Sequence, residues 1–194
     1  GTYTRGAYES LFYYDAKKKS LTRLTAAGLS VSDVQLTEDK KTVYYSLLDV
    51  SVPRPAYFGG ADLYRMELAS RREEAVAKSR PDFNIAAYAL GRSFLLLLAA
   101  DGKYGMNTDV DFYTLDYETL AVSPCAVYGE SIGSSVGSDI RHGGGRTMKM
   151  DGDVLYFIST RFDSAGLYKL ENGVVSPVTE RGGSVDCFDR CGGK

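Results

Sequence analysis

The chain has no tryptophan, one histidine and three cysteines among its 194 residues. Its longest apolar run, Phe94 to Ala100, is far shorter than the roughly 20 residues a bilayer-spanning helix needs. With His142 as the sole imidazole and Cys125, Cys187 and Cys191 lacking a Cys-x-x-Cys spacing, no metal site is expected. An odd set of thiols reads as reduced cysteines in a cytoplasmic protein. A basic excess is also missing: the net charge is −2 and the pI near 5.5, which argues against a nucleic-acid partner. The single basic run, Lys17-Lys18-Lys19, falls in a turn and reads as a solvated cluster. The chain opens on Gly-Thr, with neither initiator Met nor a charged-then-apolar leader, so it is expected to be a piece of a longer parent and no membrane partner is expected.

What is present is strand after strand. From Met150 to Thr179, the runs Val154-Leu155-Tyr156-Phe157-Ile158-Ser159, Leu167-Tyr168-Lys169-Leu170-Glu171 and Val174-Val175-Ser176-Pro177-Val178-Thr179 are of strand length and rich in β-branched and aromatic residues. Asp151-Gly152 and Asn172-Gly173 supply tight hairpin turns, so the stretch reads as an antiparallel meander.

The same pattern recurs. An apolar residue, an aromatic at the next position, an apolar residue three on and an acid four on are found at Leu11/Phe12/Tyr14/Asp15, Leu63/Tyr64/Met66/Glu67, Phe112/Tyr113/Leu115/Asp116 and Leu167/Tyr168/Leu170/Glu171. The starts lie 52, 49 and 55 residues apart, about the length of one propeller blade. A second short strand follows each: Leu21 to Thr25, Glu73 to Ala77, Leu120 to Val122 and Val174 to Thr179. Between them recurs a strand, turn and strand: Val31 to Leu36 with Val43 to Ser46, Phe83 to Tyr88 with Phe94 to Ala100, and Ser138 through Asp151-Gly152 to Ser159. A last copy stops at Val185-Asp186-Cys187-Phe188. The expected fold is therefore all-β, a partial β-propeller of four-stranded antiparallel blades: a half blade over 1–30, blades over 31–80, 81–130 and 131–180, and the start of another over 181–194. Ala61 to Arg80 favours a helix by its Leu, Met, Ala and Glu content, but its match to three other copies argues for strands. Phe94 to Leu98, apolar without alternation, reads as a strand covered on both faces.

In such a meander the A–B and C–D turns share one face, and the B–C and D–A connections the other. The tight turns, Glu38 to Lys41, Leu90 to Ser93, Asp151-Gly152 and Asn172-Gly173, are expected on the first face. The long connections, Asp49 to Asp62, Asp101 to Asp111 and Ser123 to Gly137, are expected on the second, which becomes the recognition face. Its candidate substrate or partner contacts are Arg54, Tyr57, Tyr104, Asn107, Asp109, Tyr128, Glu130 and Arg161.

No catalytic residue and no cofactor is assigned. Gly129-Glu130-Ser131-Ile132-Gly133 and Gly133-Ser134-Ser135-Val136-Gly137 both match G-x-S-x-G, but a nucleophile elbow needs a strand before it and a helix after it, and a glycine-dense tract follows here. Gly143-Gly144-Gly145-Arg146 lacks the Lys-Ser/Thr of a phosphate loop. The recurring acids Asp15, Glu67, Asp116 and Glu171 precede hairpin turns and read as turn caps rather than metal ligands.

The units "LYKLENGVVSPVT", "DGDVLYFISTRFDSAGLY", "LFYYDAKKKSLTRLT" and "TEDKKTVYYSLLD" resemble blades of the N-terminal propeller of the prolyl oligopeptidase family of serine peptidases, in its acylaminoacyl-peptidase-like branch. The resemblance implies a non-catalytic segment that gates access to an α/β-hydrolase domain of the same parent chain and helps position peptide substrates. TolB-like and WD40-like propellers share these motifs, so a protein-binding scaffold with no attached enzyme stands as the alternative. A part-propeller would leave apolar faces uncovered at its end blades, and self-association through them is expected.

Overall fold

The computed structural model describes residues 8–51, 60–102, 108–133, 147–180 and 182–191. All regular structure among them is strand, and the chain divides into two compact units, Gly1–Ile85 and Ala86–Lys194.

In the first unit, β1 (Phe12–Asp15) and β2 (Ser20–Arg23) form a two-stranded hairpin. β3 (Leu29–Leu36), β4 (Thr42–Asp49), β5 (Asp62–Glu67) and β6 (Glu73–Ala77) form a four-stranded antiparallel sheet in chain order. The Ala61 to Arg80 region is thus two strands, because Leu63 and Met66 are buried on opposite sides of a pleated sheet, where helix propensity counts for little. Leu11 and Leu24 of the hairpin pack on Val31, Val43, Tyr45, Leu47 and Met66. The Glu9 carbonyl accepts the Val31 amide at 2.8 Å and ties the two sheets together.

The second four-stranded sheet, which lies in the second unit apart from the first two residues of β7, consists of β7 (Asn84–Leu90), β8 (Phe94–Ala100), β9 (Asp111–Asp116) and β10 (Val122–Ala126). Leu95 to Ala99 are all buried, as a strand covered on both faces requires. A third sheet follows: β11 (Ser131–Ile132) and β12 (Met148–Asp151) both pair with β13 (Val154–Arg161), and β14 (Ser164–Glu171) and β15 (Val174–Pro177) complete it. Leu96, Leu98 and Phe112 of the second sheet share one core with Leu155, Phe157 and Leu170 of the third. Cross-strand pairing of Leu155 with Leu170 and of Phe157 with Tyr168 sets the register that points these residues to that core.

The structure corrects four expectations. Strand D of the second sheet is Val122–Ala126 rather than Leu120 to Val122; Pro124, with no amide to donate, is tolerated because β10 is an edge strand with an irregularity at that point. Ser123 to Gly137 is consequently not one long connection, and only residues 127–130 join β10 to β11. The long insertion instead interrupts strand A of the third sheet: Gly133 donates to the Ile158 carbonyl and the Ile158 amide donates to the Thr147 carbonyl, so the excursion leaves and returns at a single residue of β13. Tight turns are also not confined to one end, since β13 and β14 are joined by Phe162-Asp163 alone, a B–C turn. Val185 to Phe188 form no strand; a single parallel bridge joins Ser184 to Ala165.

The recurring acids sit at hairpin turns as read. Asp116 accepts the Glu118 and Thr119 amides at 3.0 and 2.7 Å, and Asp15 accepts those of Lys17 and Lys18 at 2.9 and 3.0 Å. Glu67 accepts the Ser70 hydroxyl within its turn. Glu171 differs, pairing with Lys169 at 2.6 Å; its turn, Asn172-Gly173, has φ of +51° and +76°, a two-residue geometry that closes without a side-chain cap.

Candidate functional site

Three of the eight candidate contacts come together at one end of the second unit. Tyr128 and Glu130 lie on the β10–β11 connection and Arg161 ends β13. Arg161 donates from Nε and Nη2 to a single oxygen, Glu130 Oε1, at 3.2 and 3.1 Å. Its guanidinium carbon stands 6.0 Å from the centroid of the Tyr128 ring. Both members of the ion pair are partly exposed, at 45% and 33%, so the pair orients the guanidinium more than it stabilises the fold. The Glu130 carboxylate raises the Arg161 pKa above its already high ordinary value.

Beneath this pair lies a hydroxyl chain. Tyr128 donates to Ser159 Oγ at 3.0 Å, and Ser159, fully buried, donates to the Ser131 carbonyl at 2.7 Å. Burial pushes the Tyr128 phenol up from its ordinary value and outweighs the opposing effect of the Ser159 hydrogen bond, so the phenol stays a neutral donor at pH 7. The Tyr128 ring packs edge-on against Phe157 at 5.5 Å and touches Phe112 and Tyr168, each at 6.2 Å. Its amide donates to Asp111 Oδ1 at 3.2 Å, which fixes the end of the β8–β9 connection against the site.

Arg161 and Tyr168 form part of the wall of an open cleft of about 670 Å³, together with Phe162, Pro177, Val178 and Glu180. A Cβ added at Gly166 would stand 3.2 Å from the Tyr168 ring and 3.3 Å from Thr179 Oγ1, so glycine there keeps these two side chains close. Phe162 has φ of +57° and is 85% exposed: an aromatic ring sits in a left-handed turn position that glycine or asparagine ordinarily fills. A cation oriented by a carboxylate, a neutral phenol and an exposed aromatic rim suit non-covalent recognition.

Of the remaining candidates, Asp109 is exposed on the β8–β9 connection, two residues before Asp111. Arg54, Tyr57, Tyr104 and Asn107 lie outside the described residues, as do His142 and the Gly143-Gly144-Gly145 tract. Sequence reasoning missed Ser159, Tyr168 and Phe162. The first two occupy ordinary strand positions, but Phe-Asp in a two-residue turn is an unusual choice that could have been noticed. Ser131 lies within β11, and its carbonyl, not its hydroxyl, receives the hydroxyl chain.

No known protein-family profile matches the sequence, and no curated protein matches it. Solved structures do. TolB from Acinetobacter baumannii is 18% identical with a TM-score of 0.59, over 89% of this chain and 38% of its own. A prolyl endopeptidase is 13% identical with a TM-score of 0.59, over 89% of this chain and 23% of its own. An oligogalacturonate lyase in complex with manganese is 14% identical with a TM-score of 0.56, over 85% of this chain and 40% of its own. The chain thus spans less than half the length of each. Such different proteins on one architecture illustrate how little a fold fixes an activity. What this chain shares with them is the β-propeller fold, in keeping with its antiparallel sheets of four and five strands.

Proposed function

We propose that this chain is the non-catalytic propeller segment of a cytoplasmic serine peptidase of the prolyl oligopeptidase family, gating access to an α/β-hydrolase domain of the same parent and helping to position peptide substrates. The observation that carries the reading is the Tyr128–Glu130–Arg161 cluster, built at the end of the second unit where the β8–β9 connection and the β10–β11 connection meet beside an open cleft. Likeness to a prolyl endopeptidase supports it. The second reading, a TolB-like scaffold that binds a protein partner with no enzyme attached, draws equal support from the likeness to TolB. Self-association through uncovered sheet faces belongs to either reading; the outward face of the β1–β2 hairpin, with Tyr14 and Leu21 exposed, is the surface that would drive it. Sedimentation at micromolar concentration then shows more than monomer, and a monodisperse monomer contradicts it.

Two experiments separate the readings. The parent reading frame beyond Lys194 encodes a hydrolase-length segment with a nucleophile elbow under the first, and none under the second. The chain alone hydrolyses no aminoacyl or peptidyl chromogenic ester under either, and activity lost in Ser131→Ala would overturn both.

A further inference from the structure

Arg161 is held more firmly than a partly exposed arginine needs to be. Nε and Nη2 both donate to one oxygen of Glu130, the Tyr128 ring centroid is 6.0 Å from the guanidinium carbon, and the Tyr168 phenol is near enough to help raise the guanidinium pKa. Ordering a long side chain in this way costs conformational freedom that an exposed ion pair recovers poorly. What the arrangement gains is direction. Glu130 occupies the Nε and Nη2 side, so Nη1 is used by neither of its bonds and Nη2 keeps a second hydrogen, more donors than a single Tyr168 oxygen uses up. The end formed by Nη1 and Nη2 presents parallel N–H groups that match the two oxygens of a carboxylate. The adjoining cleft of about 670 Å³ is walled by Phe162, Tyr168, Pro177 and Val178, with Arg161 and Glu180 as the charged residues among the described part of its wall. Glu180 is exposed, where water and salt weaken its field. Together with Glu130 it still disfavours a doubly charged phosphate more than a singly charged carboxylate.

We propose that Arg161 is a specificity-determining residue that binds a carboxylate of a peptide, with the apolar side chain beside that carboxylate lodged in the cleft against Tyr168 and Pro177. Glu130 acts through Arg161, as the residue that positions the guanidinium. The inference rests on the reading of this chain as one that positions peptides, and it names the group by which a peptide is chosen. A chain-terminal carboxylate and an Asp or Glu side chain share this chemistry, and the experiment separates them.

Titration of the full chain, followed through the Arg161 Nε–H resonance, uses three N-acetylated peptides: Ala-Ala-Phe as the free acid, Ala-Ala-Phe amide and Ala-Glu-Phe amide. The free acid is expected to shift the resonance and to bind roughly tenfold more tightly than its amide, the scale of a charge-assisted hydrogen bond. The same gain in Ala-Glu-Phe amide alone would assign the site to an acidic side chain instead of the chain terminus, and supports the proposal equally. Arg161→Gln is expected to bring acid and amide to the same affinity, Arg161→Lys to leave part of the preference, and Glu180→Gln to strengthen it. Peptides that bind with no preference for a carboxylate, or a preference untouched by Arg161→Gln, would overturn the proposal while leaving the peptide-positioning reading in place. Acetate that shifts the Arg161 resonance where none of the peptides binds would keep the carboxylate site and overturn that reading. A resonance that responds to neither acetate nor peptide would overturn the proposal outright.

Discussion

In β1, Phe12 and Tyr14 occupy the repeat positions that Tyr168 and Leu170 occupy in β14, yet Tyr14 is 59% exposed and Leu170 only 4%. Both strands pair with a following strand in a hairpin, and both carry an acid before the turn. The difference is what lies against them. Leu170 faces Leu96, Leu98 and Phe112 of the preceding sheet, whereas the Tyr14 face of the first hairpin, with its cross-strand partner Leu21, is largely exposed. The repeat motif therefore specifies a strand and its face, and the neighbouring sheet decides whether that face contributes to stability.

Substitutions at matched positions break this comparison most sharply. Phe157→Ala, at the centre of the shared core, is expected to lower unfolding stability by about 3–5 kcal/mol, and Leu170→Ala by about 2–5 kcal/mol. Leu21→Ala, 64% exposed, is expected to change it by no more than about 0.5 kcal/mol. Denaturant melts of the variants check this, and a Leu21→Ala loss as large as that of Leu170→Ala would place the hairpin inside a core.

The β14–β15 turn lies close to β10, and Gly173→Ala tests that approach. A Cβ there meets the Cys125 carbonyl at 3.1 Å, and φ is +76°, so a loss of about 1–2 kcal/mol is expected. A neutral result in the same melts would mean the turn can shift away from β10.

The smallest expected effect concerns the turn acids. Hydrogen bonds from the Thr119 amide and hydroxyl and the Glu118 amide hold the Asp116 carboxyl below its ordinary value of 3.8. A depressed folded pKa means that the carboxylate's contribution is present above that ordinary value and fades as pH falls through the folded one. Asp116→Ala is therefore expected to lower the melting temperature slightly at pH 6 and to converge with the unsubstituted chain near pH 2. A difference that persists unchanged to pH 2 would show that the carboxylate's charge is not the cause.

Much of this was legible in the residues. Period, face and turn chemistry locate β5, β9 and β14 because alternation and hairpin turns are local signals. The doubly covered strand β8 is legible for the same reason. The interrupted strand A was not, since β11 has two residues and acquires its identity only by pairing with Thr160 and Ser159 of β13. Strand D of the second sheet extends into residues expected to form the Ser123 to Gly137 connection, because an edge position tolerates Pro124. For the site, the parity of the connections put forward eight residues, of which Tyr128, Glu130 and Arg161 lie together, whereas the buried Ser159 link depends on a contact across 31 residues of chain.

Residue-resolved native-state hydrogen exchange tests most directly whether stacked sheets, rather than the strand motif itself, hold this fold together. The account predicts that the amides of β1 and β2 exchange through local opening, with protection far below that of β13 and β14, which open only with the unit. Equal protection in the first hairpin and the third sheet would contradict it.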